Sequence, residues 1–324
     1  MKKLLALIAV LALAGCSNDT EQAEPMAADA ADASSPIAAE VAGGNPGAEL
    51  AAQEIADDYM RGIIVEISDD RYEGRGPGTA GDAMAREYLA KRMEELGLEP
   101  GAADGSWQQP FDLVGVNAQQ PGEWTFAGHD KEMTLKQWDE FIVGSGVQEE
   151  RAVIEDAELV FVGYGIQAPE YDWDDYKGVD LTGKVLLMMN NDPDWDPDLF
   201  GGETRLWYGR WDYNYLSAAR QGAVGAINIH TAPSAGYPFQ VVQTSRTGVH
   251  FQLPAGDEPR CQMQGWVTED TSRELVALAG HDLDALRVAA FYRDFEPVPL
   301  AISTSLAMDV EITRVESANV VGLI

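Results

Sequence analysis

The sequence has 324 residues, of which 45% are apolar and 23% are charged, a composition typical of globular proteins and sufficient for one large domain or two ordinary ones. Its 54 acidic residues outnumber the 22 lysines and arginines, which gives a formal net charge of −32 at pH 7. Because so acidic a surface repels phosphate backbones, nucleic acid is not expected as a partner.

The N-terminus has the pattern of an export signal. Residues 1–16 read MKKLLALIAVLALAGC, in which two lysines precede an apolar run too short to span a bilayer. The closing Leu-Ala-Gly-Cys resembles the lipobox of bacterial lipoproteins. We therefore expect a signal peptide over residues 1–15 and a lipid on Cys16 that anchors the chain to a membrane. Because Ser17 follows the cysteine, we expect an outer-membrane lipoprotein that faces the periplasm.

The next segment, residues 16–50, is predicted to be a disordered tether. Between Ser17 and Leu50 the sequence has ten alanines, seven acidic residues and no lysine or arginine. Such a segment cannot bury enough apolar surface to fold alone. Lipidation of Cys16 would also leave Cys261 without an intramolecular disulfide partner, so the fold is not expected to depend on disulfides.

Helical patterns begin where the tether ends. The spacing of apolar residues predicts a helix over residues 50–68, and the glycines of residues 73–82 predict a loop. A second helix is predicted next, with Thr79 or Asp82 as its N-cap and Gly97 as its C-terminal stop. The residues expected on its buried face are all large and apolar: Met84, Tyr88, Leu89, Met93 and Leu96.

Short β-rich runs then alternate with helical patterns, which is typical of an α/β protein. Strands are predicted over residues 157–164, 184–190 and 223–230. Helices are predicted over residues 213–221, 270–279 and 282–292. Two separate strands, over residues 306–314 and 318–324, are predicted at the end of the sequence.

Four segments, taken in order, resemble one family of enzymes. The first, residues 67–101, has a Ser-Asp pair, a Glu-Gly-Arg loop and a helix ending in Leu-Gly-Leu. The others are residues 159–194, with Gly-Tyr-Gly and Leu-Thr-Gly-Lys, residues 208–230, and SANVVGLI over residues 317–324. The ordered series resembles the bacterial zinc-dependent aminopeptidases of metallopeptidase family 28 that carry an inserted protease-associated (PA) domain.

The resemblance implies an α/β fold made of two interleaved parts. A β-rich PA-type domain of α+β character, residues 113–300, would be inserted into an incomplete α/β zinc-exopeptidase domain. The exopeptidase part would comprise residues 51–112 and the returning strands of residues 301–324. Because the other strands of that domain would be missing, we expect these flanks to pack loosely or to expose apolar surface.

The resemblance also implies a function. Such an enzyme is a hydrolase that removes N-terminal residues from peptides, with two zinc ions that activate water and a PA domain that shapes substrate access. The first zinc ligands of the family, His-x-Asp, follow the Asn-Val-Val-Gly strand, which here is residues 319–322. The chain as given is therefore expected to have no catalytic or metal-binding residues, to bind no zinc and to be inactive. The alternative is a complete lipid-anchored PA-type binding module without catalytic activity.

Other residues offer weaker sites. Residues 192–203 place acidic side chains at several EF-hand positions, but Pro197 occupies the position of the sharp turn. An acidic surface loop is therefore favoured over a calcium site. Cys261 has no histidine near it in the sequence and is predicted to be a structural thiol. The sequence has four histidines, none in a metal-binding motif: His129, His230, His250 and His281.

A group of aromatic residues is the last candidate. Tyrosine and tryptophan are common in binding surfaces, and packing against a sheet explains the same group equally well. Both interpretations stay open for this group: Trp207, Tyr208, Trp211, Tyr213 and Tyr215.

Overall fold

A computed structural model describes residues 57–324. The predicted signal peptide, the tether and the lipidated Cys16 lie outside the described residues. The described residues fall into two units, with the boundary between Glu66 and Ile67. Within the part of the chain that the structure describes, no helix is long and apolar enough to cross a membrane.

The helices match most of the sequence predictions. Those predicted over residues 213–221, 270–279 and 282–292 are confirmed, with ends that differ by at most three residues. In chain order the helices are α1 (Asp57–Ile67), α2 (Ala80–Glu95), α3 (Trp211–Arg220), α4 (Ala232–Ala235), α5 (Phe239–Ser245), α6 (Glu269–Leu278) and α7 (Leu283–Ala289). Short 3-10 helices lie at Asp70–Arg75, Pro169–Tyr171 and Trp207–Gly209.

Strands occupy most of the remaining chain. In order they are β1 (Glu99–Pro100), β2 (Gln108–Ala118), β3 (Glu123–Gly128), β4 (Lys131–Lys136), β5 (Phe141–Ser145), β6 (Arg151–Phe161), β7 (Gln167–Ala168), β8 (Trp173–Asp174), β9 (Val185–Met189), β10 (Gly225–His230), β11 (His250–Gln252), β12 (Met263–Thr268), β13 (Val298–Val320) and β14 (Gly322–Leu323).

One large mixed sheet organises these strands. It has ten strands, and its main path runs β11-β2-β13-β6-β9-β10-β12-β5, with β3 pairing to β13 and β4 pairing to β3. The four neighbours β6, β9, β10 and β12 are parallel to one another, whereas the other pairs are antiparallel. The structure is therefore of the predicted α/β class.

The parallel strands are buried on both faces of the sheet. Along β9, Val185, Leu187 and Met189 belong to one hydrophobic cluster, while Leu186 and Met188 belong to a second. Successive side chains of a strand point to opposite faces, so a strand covered on both sides has a continuous apolar sequence. This explains why VLLMM was recognisable as a strand without any alternation of apolar and polar residues.

Strand β13 is the longest element of the described residues. The sequence pattern predicted two separate strands at the end of the sequence, over residues 306–314 and 318–324, and this prediction is wrong. The chain instead continues unbroken from Val298 to Val320, because residues 315–317 pair with β2 in the same register as the residues around them. Only the short β14 is separate, and it pairs with β1.

The pairing of β13 divides the second unit into two regions. Up to Asp309, β13 pairs with β6 and β3; from Val310 onward it pairs with β2. We call residues 119–309 the inserted region. The flanking region is residues 67–118 together with residues 310–324, and its two segments are joined by the β2–β13 and β1–β14 pairs.

Helix α2 of the flanking region packs through small residues. Its predicted capping is confirmed: Thr79 Oγ1 accepts a hydrogen bond from the backbone N–H of Asp82, and Gly97 has a φ of +85°. Its predicted buried face is wrong. The buried residues are Gly81, Ala85 and Ala90.

The large apolar side chains of α2 explain the error. Met84, Leu89 and Leu96 are exposed, and Tyr88 and Met93 are half-buried. Helical periodicity identifies an apolar stripe, but only a partner element decides which stripe is covered. The expectation that the flanks expose apolar surface is therefore confirmed for this helix.

Candidate binding cleft at the carboxyl edge of the parallel strands

The parallel strands end together at one edge of the sheet. Residues that follow β6, β9, β10 and β12 line a cleft of about 340 Å³ there. Ligands of α/β proteins commonly bind in the crevice outside the carboxyl ends of parallel strands. We call this feature the carboxyl-edge cleft.

One wall of the carboxyl-edge cleft is an ion-pair network. Glu269, the first residue of α6, contacts Arg273 at 3.0 Å and Arg287 of α7 at 2.6 Å. Burial raises the pKa of Glu269, but the hydrogen bonds and charges of Arg287 and Arg273 outweigh it and hold the pKa below its ordinary value. Glu269 is therefore ionised and fully paired at neutral pH.

The facing wall carries a tyrosine and an acidic loop. Burial, and then the charges of Asp194 and Asp175, raise the pKa of Tyr164. Its phenol is therefore neutral at neutral pH and keeps its O–H as a hydrogen-bond donor. Asp194 accepts a hydrogen bond from Asn191 Nδ2 at 2.8 Å, and Arg205 Nε donates to Asn191 Oδ1 at 3.0 Å, which fixes the loop.

Buried polar side chains lie along the same edge. Asn190 and Asp192 follow β9, Asn214 lies on α3, and Asn228 and His230 lie on β10. Each has at least one buried side-chain atom without a hydrogen-bond partner among the described residues, and Asn228 has two. A buried polar atom left unpaired costs about 1–3 kcal/mol, so such a group is unusual in a region that serves packing alone.

Asn214 shows how these buried polar residues are held in place. Its Nδ2 atom donates to the carbonyl oxygen of Tyr164 at 2.9 Å and to that of Met189 at 3.3 Å. It thereby ties the loop after β6 to the end of β9. Its Oδ1 atom is one of the unpartnered acceptors.

These buried polar residues were not predicted from the sequence, although one signal was present. Asn228 interrupts the apolar run GAINIH, and its side chain is fully buried. A polar residue within a strand that is otherwise apolar marks a buried polar position. The contributions of Asn190 and Glu269 to one cleft depend on strand order, which the sequence does not show.

The four histidines lie in separate surroundings in the structure. His129 lies 3.1 Å from the carbonyl oxygen of Leu300, and His281 is exposed after α6. His230 packs among the rings of Tyr237, Phe239 and Trp266, and His250 lies on β11.

The described residues do not fit a two-zinc centre. Within residues 57–324, no group of three or more His, Cys, Asp or Glu side chains is arranged to hold a metal ion. Cys261 is buried, and burial raises its pKa to about 12, so its thiol is neutral rather than a reactive thiolate.

The acidic loop of residues 192–203 directs its carboxylates to separate partners. Asp192 Oδ2 accepts the backbone N–H of Leu206 at 2.8 Å, Asp194 accepts from Asn191, and Asp196 accepts the backbone N–H of Asp198 at 2.9 Å. A calcium site needs these oxygens to converge on one point. Here these three carboxylates instead accept hydrogen bonds from different groups of the chain.

The aromatic group divides between the two interpretations left open by the sequence. Tyr213 and Tyr215 are buried in the two hydrophobic clusters. Trp207 is 52% exposed and lies at the surface. Trp211 is half-buried, and its ring packs against the guanidinium of Arg246.

Comparisons with known proteins give structural similarity only. No family model matches the sequence, and no curated protein matches it. An aminopeptidase from Aneurinibacillus sp. strain AM-1 is 18% identical with a TM-score of 0.38, over 80% of this chain and 49% of that one. BSAP, a zinc aminopeptidase from Bacillus subtilis, is 14% identical with a TM-score of 0.27, over 81% and 45%. A peptidase M28 precursor from Shewanella amazonensis SB2B is 14% identical with a TM-score of 0.35, over 78% and 48%.

This chain thus spans about half the length of each of these three structures.

Proposed function

We propose that this chain is the N-terminal part of a zinc-dependent aminopeptidase of metallopeptidase family 28, in which the inserted region acts as a PA-type domain that shapes peptide access. One observation carries the proposal. The two segments that resemble the exopeptidase part, on either side of the insertion, pair directly through β2 and β13. That pairing is what an interrupted domain requires, and it supports the order of segments in the sequence resemblance.

The exposed face of α2 supports the same proposal. Met84, Leu89 and Leu96 form apolar surface on the flanking region, whereas the inserted region has a well-buried core. Exposed large apolar side chains of this kind are suited to burial against further structure. On this proposal, the zinc ligands belong to residues that the given sequence does not include.

The first test is the reading frame and the activity it encodes. We expect codons for a His-x-Asp pair soon after Ile324, and zinc-dependent release of N-terminal residues from peptides by the extended chain. The chain of 324 residues should show no turnover with added zinc. Turnover by this shorter chain that a chelator abolishes would contradict the assignment of the ligands.

We also propose a location for the protein in the cell. Lipidation of Cys16 would anchor the protein to the outer membrane, facing the periplasm, where peptides would be its substrates. Replacing Cys16 by Ala should abolish labelling by radioactive palmitate and move the protein from the membrane fraction to the soluble periplasmic fraction. Unchanged fractionation of the Cys16→Ala variant would contradict the anchor.

A binding module without catalysis is the second candidate function. The carboxyl-edge cleft favours it, because the cleft and the unpartnered Oδ1 atom of Asn190 that lines it are built wholly within the inserted region. Saturable peptide binding that Asn190→Leu abolishes, together with a stop codon directly after Ile324, would support the module over the enzyme.

A further inference from the structure

A second cleft lies where the inserted region meets β2 of the flanking region, and it shares no lining residue with the carboxyl-edge cleft. It has a volume of about 600 Å³ and lies between α3, residues 245–252 and residues 258–264. Pockets of roughly 300–1,000 Å³ are the usual size for small organic ligands. We call it the Arg246 cleft.

Arg246 is the central charged group of this cleft. Its guanidinium carbon lies 4.6 Å from the ring centroid of Trp211 and 5.5 Å from that of Tyr215. Its backbone carbonyl accepts a hydrogen bond from Gln120 Nε2 at 2.9 Å, which fixes the main chain. The centroids of these two rings are only 5.9 Å apart, so the rings approach the guanidinium from neighbouring directions and not from opposite faces. A hydrogen-bonding partner must approach the guanidinium at its edge, where the N–H groups point.

That edge has an unused donor. Arg246 Nη2 is buried and has no hydrogen-bond partner among the described residues. Leaving a buried donor of a charged group unpaired costs more free energy than leaving a neutral donor unpaired. A carboxylate is the partner whose geometry matches a guanidinium edge.

His250 provides a second unused nitrogen beside it. Its Nε2 atom is also buried without a partner among residues 57–324. Burial, and then the positive charge of Arg246, lower the pKa of His250, while a hydrogen bond to the backbone of Arg246 raises it; both side chains line the cleft. His250 is therefore neutral at neutral pH, and a carboxylate bound beside it would favour the uptake of a proton by its ring.

Two other charged groups of the cleft already have partners. Glu258 contacts Arg220 at 3.2 Å, and Arg260 donates to Gln252 Oε1 at 2.8 Å and to the carbonyl oxygen of Gly146 at 3.3 Å. Glu258 therefore does not compete for Arg246. Because its lining carries two arginines against two acidic residues, the cleft is far less negative than the chain as a whole, whose net charge is −32.

Asp212 adds an acceptor to the same cleft. Its buried Oδ1 atom lies 4.0 Å from Arg210 Nε, beyond hydrogen-bond distance, and accepts no hydrogen bond from the described residues. The cleft thus combines this acceptor with the donor of Arg246 and the unpartnered ring nitrogen of His250. Between them the walls are apolar, with side chains that include Val116, Leu216 and Phe251.

We propose that the Arg246 cleft binds the C-terminal residue of a peptide. The free carboxylate contacts Arg246 and His250, the backbone N–H of that residue donates to Asp212, and its side chain packs on the apolar walls. Small rotations of these side chains, which are common on binding, turn the buried nitrogens toward the ligand. This inference concerns binding alone and does not rest on the proposed peptidase function.

The test compares two matched peptides by calorimetry on the purified chain. N-acetyl-Ala-Leu with a free carboxylate should bind at least about tenfold more tightly than the same peptide with a C-terminal amide, because the amide loses the charge-assisted hydrogen bonds. N-acetyl-Ala-Gly as the free acid should bind more weakly than the leucine peptide. The ring NMR signals of His250, assigned with His250→Gln, should shift with the acid and not with the amide.

A matched arginine provides the control. Arg293 also lies over an indole, 5.9 Å from the ring of Trp173, and its guanidinium donates to the carbonyl oxygens of Tyr171 and Asp172. Arg246→Gln should bring the acid and the amide to equal affinity, whereas Arg293→Gln should leave the difference unchanged. Thermal melting of both variants checks that they fold.

Three results would overturn the proposal. They are equal affinity of the acid and the amide for the unmodified chain, absence of saturable binding of the acid, and an unchanged preference for the acid in a folded Arg246→Gln variant. The first two need no substitution, so the proposal stays testable even where Arg246→Gln does not fold.

Discussion

The inserted region and the flanking region bury their side chains in different ways. Leu187 of the inserted region is completely buried between layers of the fold, whereas Leu89 of the flanking region is 39% exposed although it lies mid-helix. The flanking region instead packs through Gly81, Ala85 and Ala90. Apolar content alone therefore does not indicate where a chain is stabilised, and large side chains on a helix can serve a contact that the helix does not make within its own chain.

Replacing each of the two leucines by alanine should give the clearest difference in unfolding free energy between the two regions. Leu187→Ala removes a fully buried side chain and should lower the free energy of unfolding by about 2–5 kcal/mol. Leu89→Ala should change it by no more than about 0.5 kcal/mol, since alanine also favours the helix. Urea unfolding of both variants measures the difference, and similar losses would mean that α2 is as tightly packed as β9.

A buried carboxyl group should give the inserted region its own pH dependence. Burial raises the pKa of Asp175 to about 7, against hydrogen bonds from the backbone N–H of Ile166 and from Trp173 Nε1. The unfolded chain loses this proton near its ordinary pKa, so the folded state binds more protons between these values. The contribution of Asp175 to stability should therefore fall as pH rises from about 4 to 7, by up to about 4 kcal/mol.

The control for Asp175 is its amide. Asp175→Asn cannot ionise, so the slope of unfolding free energy against pH in this range should become shallower. Chemical denaturation at several pH values measures the slope. The same slope in Asp175→Asn and in the unmodified chain would show that another group is responsible.

A glycine of the flanking region should give a smaller and more local effect. A Cβ atom on Gly81 would lie 1.8 Å from the carbonyl oxygen of Tyr72, so Gly81→Ala forces α2 away from the preceding 3-10 helix. We expect a loss of about 1–3 kcal/mol. Hydrogen exchange should accelerate in α2 while β9 stays protected, because the two lie in different regions.

Gly144 is the matched control, since a Cβ atom there meets nothing within 4 Å. Gly144→Ala should leave exchange in α2 unchanged. Accelerated exchange in β9 of Gly81→Ala would show that the two regions unfold as one cooperative unit.

The sequence predicted those elements whose signals are local. The caps of α2 were readable because Thr79 and Gly97 act on adjacent backbone groups. Strands β9 and β10 were readable because burial on both faces requires a continuous apolar run. Strand β12 was missed because MQGWVT mixes glycine and glutamine with apolar residues.

The sites could not be predicted because they depend on tertiary neighbours. Arg246 is a candidate binding residue because it contacts the rings of Trp211 and Tyr215. These residues are about thirty positions away in the sequence, and only the fold brings them to Arg246. The same applies to Glu269, whose partner Arg287 lies on another helix. Residue types suggested charged or aromatic surfaces, but not which of them meet.

The unbroken β13 has a mechanical consequence. At about 3.3 Å per residue, its 23 residues extend for roughly 75 Å, and ladder pairing passes from β6 to β2 between Asp309 and Val310 without an interruption. Irregular register occurs only nearer the start of the strand, between Pro299 and Leu306. Because β6 pairs up to Asp309 and β2 pairs from Val310, a bend at this peptide would leave both ladders intact but would break the hydrogen bond from the backbone N–H of Val310 to the carbonyl oxygen of Glu150, which is 2.8 Å long. This bond therefore helps to set the angle between the inserted region and the flanking region.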